Sequence, residues 1–401
     1  MRKENALQHG VFSRRRVVGA LGAAAALAVA PGGLAQPVAA PLRIGVSLGL
    51  SGMYATDAEM QGKAYRLWAE QVNRRGGIFG RRVEMIIRDD KSDAATARLI
   101  YEDYVLRDGA DLLMGPYSSG ITAAVAPIAE RYGYPMLSPG GAAETLWKQG
   151  YRNLFGVIPL AGRHTIGFLA VLADAGVTTL AMVEADDVFS ADVAEGTRTW
   201  AAEYGVRITS TQKVPLGSTD LEPAARAAQR SGAQALLMAG HFAESVNMRR
   251  ALQRIGWTPA AYYASVGPGL DKYGSTLGSA AEEAFATTTW EPREDLKLPV
   301  TAEFLHEFVA AYGEKPNFLA AHAYAACQIL ERALLQAGRL DRALLRDSLA
   351  QLDTNALLGR YAVDRSGQQT KRFPLIVQWQ HGRREIVWPD ALRTAPAIVR
   401  K

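Results

Sequence analysis

Cysteine is nearly missing from this 401-residue chain. Cys327 stands alone, so no disulfide can form within the chain, and cysteine carries no news of the redox compartment. Histidine is also scarce, and its six residues do not pair at metal-ligand spacings. A serine-hydrolase elbow is missing, because Gly115-Pro116-Tyr117-Ser118-Ser119-Gly120 has the wrong spacing for G-x-S-x-G. There is no P-loop and no strand-linked G-x-G-x-x-G. Beyond residue 30 no apolar run approaches membrane-spanning length. What remains is 48% hydrophobic and 21% charged, which suits one or two α/β domains with sizeable cores.

The N-terminus is different. Arg14-Arg15-Arg16 precedes an alanine-rich apolar run, Val17 to Ala30, and small residues follow to Ala35. Charged, apolar and small-residue regions in that order form an export signal, and paired arginines before a mild apolar run suit the twin-arginine type. Residues 1–35 are therefore assigned to a signal, cleaved after Ala35 or after Ala39, with an uncleaved anchor as the alternative. Without residues 1–35 the basic residues fall from 45 to 40 and the acidic from 40 to 39. The net charge then falls from +5 to +1, so the basic balance belongs largely to the signal and gives no reason to expect nucleic acid as a partner.

The stretch from Leu112 to Gly120 organises the rest. A buried strand, Asp111 to Met114, stops at Gly115-Pro116, and a helix starts near Gly120. Small hydroxyl residues between a strand end and a helix start lie beside free backbone N–H groups, which suits a carboxylate. Ligands of open α/β sheets sit at such strand ends. Taken alone, the stretch reads more readily with Ser118 or Ser119 as only an N-cap, and the rest of the chain changes that.

Around this stretch strands and helices alternate. Strands are expected at Leu42 to Leu48, Arg82 to Ile87, Pro135 to Leu137 and Asn153 to Val157, with a helix from Ala58 to Val72. The rhythm restarts with strands at Leu180 to Val183, Val206 to Val214, Ala235 to Met238 and Ala261 to Ala264. Such alternation indicates parallel sheets built from βαβ units, here in two lobes. The last third carries helices at Pro299 to Tyr312, Asn317 to Ala337 and Asp341 to Leu352. Short strands follow at Tyr361 to Val363, Leu375 to Trp379 and Glu385 to Trp388.

Ile44-Gly45-Val46…Ser51-Gly52, Asn73…Gly76-Gly77-Ile78…Gly80-Arg81, Asp89-Asp90, Gly115 to Ser119, Leu137-Ser138-Pro139-Gly140 and Asp186 to Ser190 run in order along the chain. Together with Asp364 to Gly367, Val377-Gln378-Trp379 and Gly382, they resemble the type I periplasmic solute-binding proteins of the leucine/isoleucine/valine-binding kind. The resemblance implies an α/β protein of two lobes, each a mostly parallel sheet flanked by helices, joined by three crossovers. The crossovers are expected near Pro159, Thr288 and Val363. That gives lobe 1 as 42–158 with 289–363, and lobe 2 as 159–288 with 364–395. It further implies a periplasmic location, a small ligand in the cleft, and delivery to a membrane permease driven by an ATPase. No cofactor or metal is implied. The repressors of this fold begin with a DNA-binding segment, where this chain has its signal.

By the resemblance, Ser119 holds the ligand carboxylate, with Tyr54, Tyr117 and Ser118 beside it and Gly140-Gly141-Ala142 as a second loop. Phe189, His241, Phe242 and Val266 face them from the other lobe. Trp290 either lines the cleft or packs under the hinge. Two departures stand out. Ala142 replaces a threonine, and Val266 replaces the acid that holds an amino acid's ammonium. The disulfide of some relatives is absent, with Ser92 and Ser118 at its positions. A buried ammonium needs a partner, so an apolar or aromatic acid, or an amide, is preferred over an amino acid. The competing expectation is that Asp187, Glu144 or Glu291 takes over the acid's role and the ligand is an amino acid. A sensor subunit of the same fold is the alternative function. An enzyme would rest on Ser119 and His241 as a nucleophile and base.

Overall fold

The computed structural model describes residues 39–293 and 301–401; residues 1–35, expected from the sequence to be an export signal, lie outside them. The first strand, β1 (Leu42–Leu48), is buried along its length except at Arg43. It is a central strand flanked by β2 (Val83–Asp89) and β3 (Leu112–Met114), all parallel. With β4 (Met136–Ser138) and β5 (Leu154–Gly156) the order is β2-β1-β3-β4-β5. A parallel sheet covered on both faces asks for such continuous apolar strands. The strand order reverses between β1 and β3, and the crevice at the carboxyl ends of these two strands is where open α/β sheets bind ligands. The chain leaves β1 into α1 (Ala55–Arg74) and leaves β3 into α3 (Ser119–Arg131), so Tyr54, Tyr117, Ser118 and Ser119 all sit at this crevice.

The second sheet repeats the device. β6 (Thr179–Ala185), β7 (Arg207–Val214), β8 (Ala235–Ala239), β9 (Ala261–Ala264) and β10 (Ala284–Thr288) run parallel in the order β7-β6-β8-β9-β10. Its reversal falls between β6 and β8, whose following segments carry Asp187, Phe189 and His241. An antiparallel hairpin, β13 (Leu375–Gln380) and β14 (Arg383–Trp388), extends the sheet beyond β10. The long helix α10 (Phe318–Ala337) returns to the first lobe and packs on α1. There the Trp68 indole N–H donates to Glu331 at 3.0 Å, and the Tyr324 hydroxyl donates to the Gln71 side chain.

Three passages join the sheets. The first runs from β5 through Pro159 to α4 (Ile166–Asp174), and the second leaves β10 at Thr288. After the short strands β11 (Thr354–Ala356) and β12 (Gly359–Tyr361), the chain stays beside the first sheet past Val363. Gly156 N–H still donates to Gly367 O at 2.8 Å, so the third passage reaches the second sheet only at β13. No helix among the described residues is long and apolar enough to cross a membrane.

Candidate functional site

The anion end of the site follows from how α3 begins. Ser118 holds the N-cap position with extended backbone, yet its side chain makes no capping bond. The first helical hydrogen bond is Thr122 N–H to Ser118 O, so the N–H groups of Ser119, Gly120 and Ile121 are the orphans of that helix end. The Ser119 hydroxyl accepts from two backbone N–H groups of the facing loop, Ala142 at 3.0 Å and Ala143 at 3.2 Å. Two acceptances fill both lone pairs of a hydroxyl, so only its proton remains to be given. Ser119 is thus a buried donor beside a helix N-terminus, and it asks for an anion or a carbonyl oxygen. The loop comes this close because residue 140 is glycine; a Cβ there would lie 2.6 Å from Pro116 O.

This end opens into a cavity between the lobes with about 510 Å³ of space not filled by atoms, its mouth included. Tyr117 from the first lobe and Phe189 from the second both line it, with Ile158, Val266, Phe318 and Leu319. Thr287, Thr288, Thr289 and Ser265 supply hydroxyls from the ends of β9 and β10. Besides His241, two further histidines line it. Burial pushes His164 down to about 4, and its Nε2 lies 3.3 Å from Pro159 O, so that nitrogen carries the proton. Burial, then the charge of Arg372, pushes His322 down to about 3. Both are neutral rings near pH 7.

Across the mouth the lobes touch. His241 at the N-cap of α7 (Phe242–Ile255) meets the Tyr117 hydroxyl at 2.9 Å through Nδ1, and its ring lies 4.9 Å from that of Tyr54. Burial alone would lower the His241 pKa. The Asp187 carboxylate, 3.6 Å from Nε2, overrides this and lifts it to about 8. The charged ring then donates Nδ1–H to the tyrosine oxygen. Ser119 and His241 make no hydrogen bond with each other, so no nucleophile–base pair is assembled.

Acids are kept out of the lining, since none of its residues is Asp or Glu. Asp187 caps α5 (Val188–Glu203), accepting from Phe189 and Ser190 N–H, and this explains Asp186-Asp187 without a metal. Glu144 accepts from Gly162 N–H at 3.0 Å, and Glu291 pairs with Arg384 at 3.1 Å. Among the described residues no cluster of side chains could hold a metal ion.

A periplasmic binding protein family model matches residues 41–384. The chain belongs to the periplasmic binding protein family. It is similar to the Leu/Ile/Val-binding protein homolog 7 of Brucella melitensis biotype 1, at 23% identity over 89% of this chain and 94% of that one. It shares its fold with the branched-chain amino acid transporter substrate-binding protein LivJ of Streptococcus pneumoniae, solved with isoleucine. The TM-score is 0.79 at 21% identity, over 87% of this chain and 100% of that one. It shares it too with a solute-binding protein of an ABC transporter from R. palustris, solved with benzoate. Here the TM-score is 0.77 at 18% identity, over 90% of this chain and 98% of that one. Both of these structural neighbours are substrate- or solute-binding proteins of transporters.

Within this periplasmic binding protein, eight of the residues singled out in the sequence line one cavity: Tyr117, Ser118, Ser119, Gly140, Ala142, Phe189, His241 and Val266. Tyr54 stands at the rim, edge-on to Tyr117 at 5.4 Å. Gly141 lies behind the loop, where a Cβ would strike Thr122 and Ser138. Phe242 does not line the cavity; itself partly buried, it packs against the buried apolar core. Trp290 packs under the second passage: its N–H donates to Thr301 at 3.2 Å and its ring meets Phe304 at 5.7 Å. His164 and His322, which no local sequence signal singles out, line the cavity because the first passage and the N-terminal part of α10 bring them there. The sequence also gave no sign of Asp57, which is wholly buried in the first turn of α1 with neither carboxyl oxygen bonded.

Proposed function

We propose that this periplasmic binding protein takes up an apolar or aromatic organic acid without a free α-amino group. Exported by residues 1–35 and cleaved, it delivers that acid to a membrane permease driven by an ATPase. The observation that carries the reading is the lining itself: a donor end at Ser119 and α3, apolar and aromatic walls, neutral His164 and His322, the charged His241, and no carboxylate. An ammonium placed against Val266 would lose its hydration without gaining a partner, at a cost of several kcal/mol. Asp187, Glu144 and Glu291 are each committed elsewhere. That the fold can hold an aromatic acid is supported by the benzoate complex of its structural neighbour.

Titration calorimetry on the mature protein tests this. The panel is leucine, valine and phenylalanine against 4-methylpentanoate, 3-methylbutanoate, 3-phenylpropanoate and benzoate. Micromolar binding of one or more acids, with the amino acids weaker by a factor of ten or more, is expected. Tight binding of a free amino acid with none for its deaminated form would overturn the reading.

A further inference from the structure

His164 lines the cavity and is only 8% exposed. Its Nε2 lies 3.3 Å from Pro159 O. A carbonyl only accepts, so Nε2 carries the proton and Nδ1 of the neutral ring is a bare acceptor. No group among the described residues donates to that Nδ1. The residue is held where it stands. Thr287 Oγ1 donates to His164 O, and the imidazole meets the Phe189 ring edge-on at 5.7 Å. The same turn is tied to the anion end. Ala161 N–H donates to Ala142 O at 2.8 Å, and Ala142 N–H donates to the Ser119 hydroxyl at 3.0 Å. Ala142 is thus bonded both to the turn before His164 and to Ser119, and all three residues border one cavity.

A spare proton stands close by. Two residues beyond Thr287, the Thr289 hydroxyl is hydrogen-bonded to His322 Nε2, and both residues line the cavity. The pair holds one proton more than this bond uses. If the threonine donates, the neutral imidazole keeps its proton on Nδ1, which makes no hydrogen bond; if Nε2–H donates, the threonine proton is left over. The Pro139 carbonyl lies near the His322 ring without being bonded to it. The neighbouring threonines have spent their protons, Thr287 on His164 O and Thr288 on Trp290 O at 2.8 Å.

A buried acceptor without a protein partner is costly until something donates to it, and here the donor must come from what fills the cavity. A bare nitrogen beside a spare proton asks for a group that both donates and accepts, and a neutral hydroxyl does both. A carboxylate has no proton to give His164. An ammonium has one, but it brings a charge that no acid of the lining offsets.

We propose that His164 selects a hydroxyl on the ligand: the preferred solute is a hydroxylated aromatic or apolar acid, its carboxylate at Ser119 and its hydroxyl donating to His164 Nδ1. This deepens the organic-acid reading and rests on it. A site built to bond a hydroxyl rejects the analogue without one, because the analogue leaves the buried nitrogen unmet.

Calorimetry on the mature protein compares benzoate with 2-, 3- and 4-hydroxybenzoate and with the fluorobenzoate of matching position. One hydroxy acid should bind at least about tenfold more tightly than both benzoate and its fluoro counterpart. His164→Phe keeps a ring against Phe189 but has no lone pair, and it should erase most of that ratio. A crystal structure of the wild-type complex should put the ligand hydroxyl within hydrogen-bond reach of Nδ1, a result that does not depend on how the variant folds. Hydroxy acids no tighter than benzoate would overturn the proposal. So would a hydroxyl gain that survives in His164→Phe, or a complex in which water meets Nδ1 and the ligand hydroxyl lies elsewhere. Benzoate binding without any gain from a hydroxyl defeats this proposal alone. If no acid binds, the organic-acid reading fails first and this proposal falls with it.

Discussion

Asp57 gives the sharpest test of the closed interface. It sits on α1, wholly buried, with both oxygens unbonded; Gln61, one turn on, also has both side-chain polar atoms unbonded. Burial lifts the Asp57 carboxyl from 3.8 to about 7, and the His241 charge only partly opposes this. The native chain therefore keeps a proton that the unfolded chain has already released. The stability tied to that neutral carboxyl is whole below about pH 4 and is lost as pH rises through about 7. Three pH units at about 1.4 kcal/mol each give at most about 4 kcal/mol by pH 8. Asp57→Asn keeps the shape and removes the charge, so its advantage over wild type should be small at pH 4–5 and approach that figure at pH 8. Some is offset, because the Asp57 charge also supports the imidazolium of His241. With about 2 cal/mol/K per residue over the roughly 360 residues from Ala39 onward, about 4 kcal/mol corresponds to ~5 °C in Tm. Thermal unfolding of both proteins at pH 5 and pH 8, followed by circular dichroism, measures it. An equal Tm difference at the two pH values, or a variant less stable at pH 8, would refute the reasoning.

Three further outcomes are expected. Ser119→Ala removes the donor at the anion end and should weaken acid binding by about 1.5–3 kcal/mol, roughly tenfold to 150-fold in Kd by calorimetry; a folded variant with full affinity would contradict it. Phe189→Ala should lower affinity far more than it lowers the Tm of the empty protein, because the ring walls the cavity with His164 and His241 as its aromatic neighbours. The reverse ranking would make Phe189 simply core. Replacing Arg14 and Arg15 with lysine should leave the precursor in the cytoplasm, as read by cell fractionation; unchanged export would rule out the twin-arginine route.

The sequence was most legible where periodicity and end signals agreed. The αβ rhythm, the strand ends at Ser119 and His241, and the capping acids and amides Asp187, Asn317 and Asp341 all speak through local chemistry. It was least legible where a side chain's role depends on distant chain. His164 and His322 stand 158 residues apart and meet one cavity only after the chain has crossed between sheets. Asp57 stands in the first turn of α1, where helices favour an acid, so its position alone gives no signal. Nothing local shows that the second lobe closes over it. Trp290 shows the converse: an aromatic at a suspected crossover reads equally as wall or as packing, and Thr301 with Phe304 decides for packing.

The hairpin of β13 and β14 bears on how the molecule is made. β10 has β9 on one side and β13 on the other, and β13 begins 87 residues after β10 ends. During synthesis the second sheet must wait, with β10 as an open edge, until nearly the whole chain has been produced. Unpaired edges of that kind are where partly folded chains stick to one another. The first lobe waits too, since α1 gains its partner α10 only after the chain has visited the second sheet. Neither half is a contiguous piece of sequence. No single cut between residues 39 and 401 would release a complete lobe, and a chain stopped before Leu375 would carry its unfinished edge for as long as it lasted.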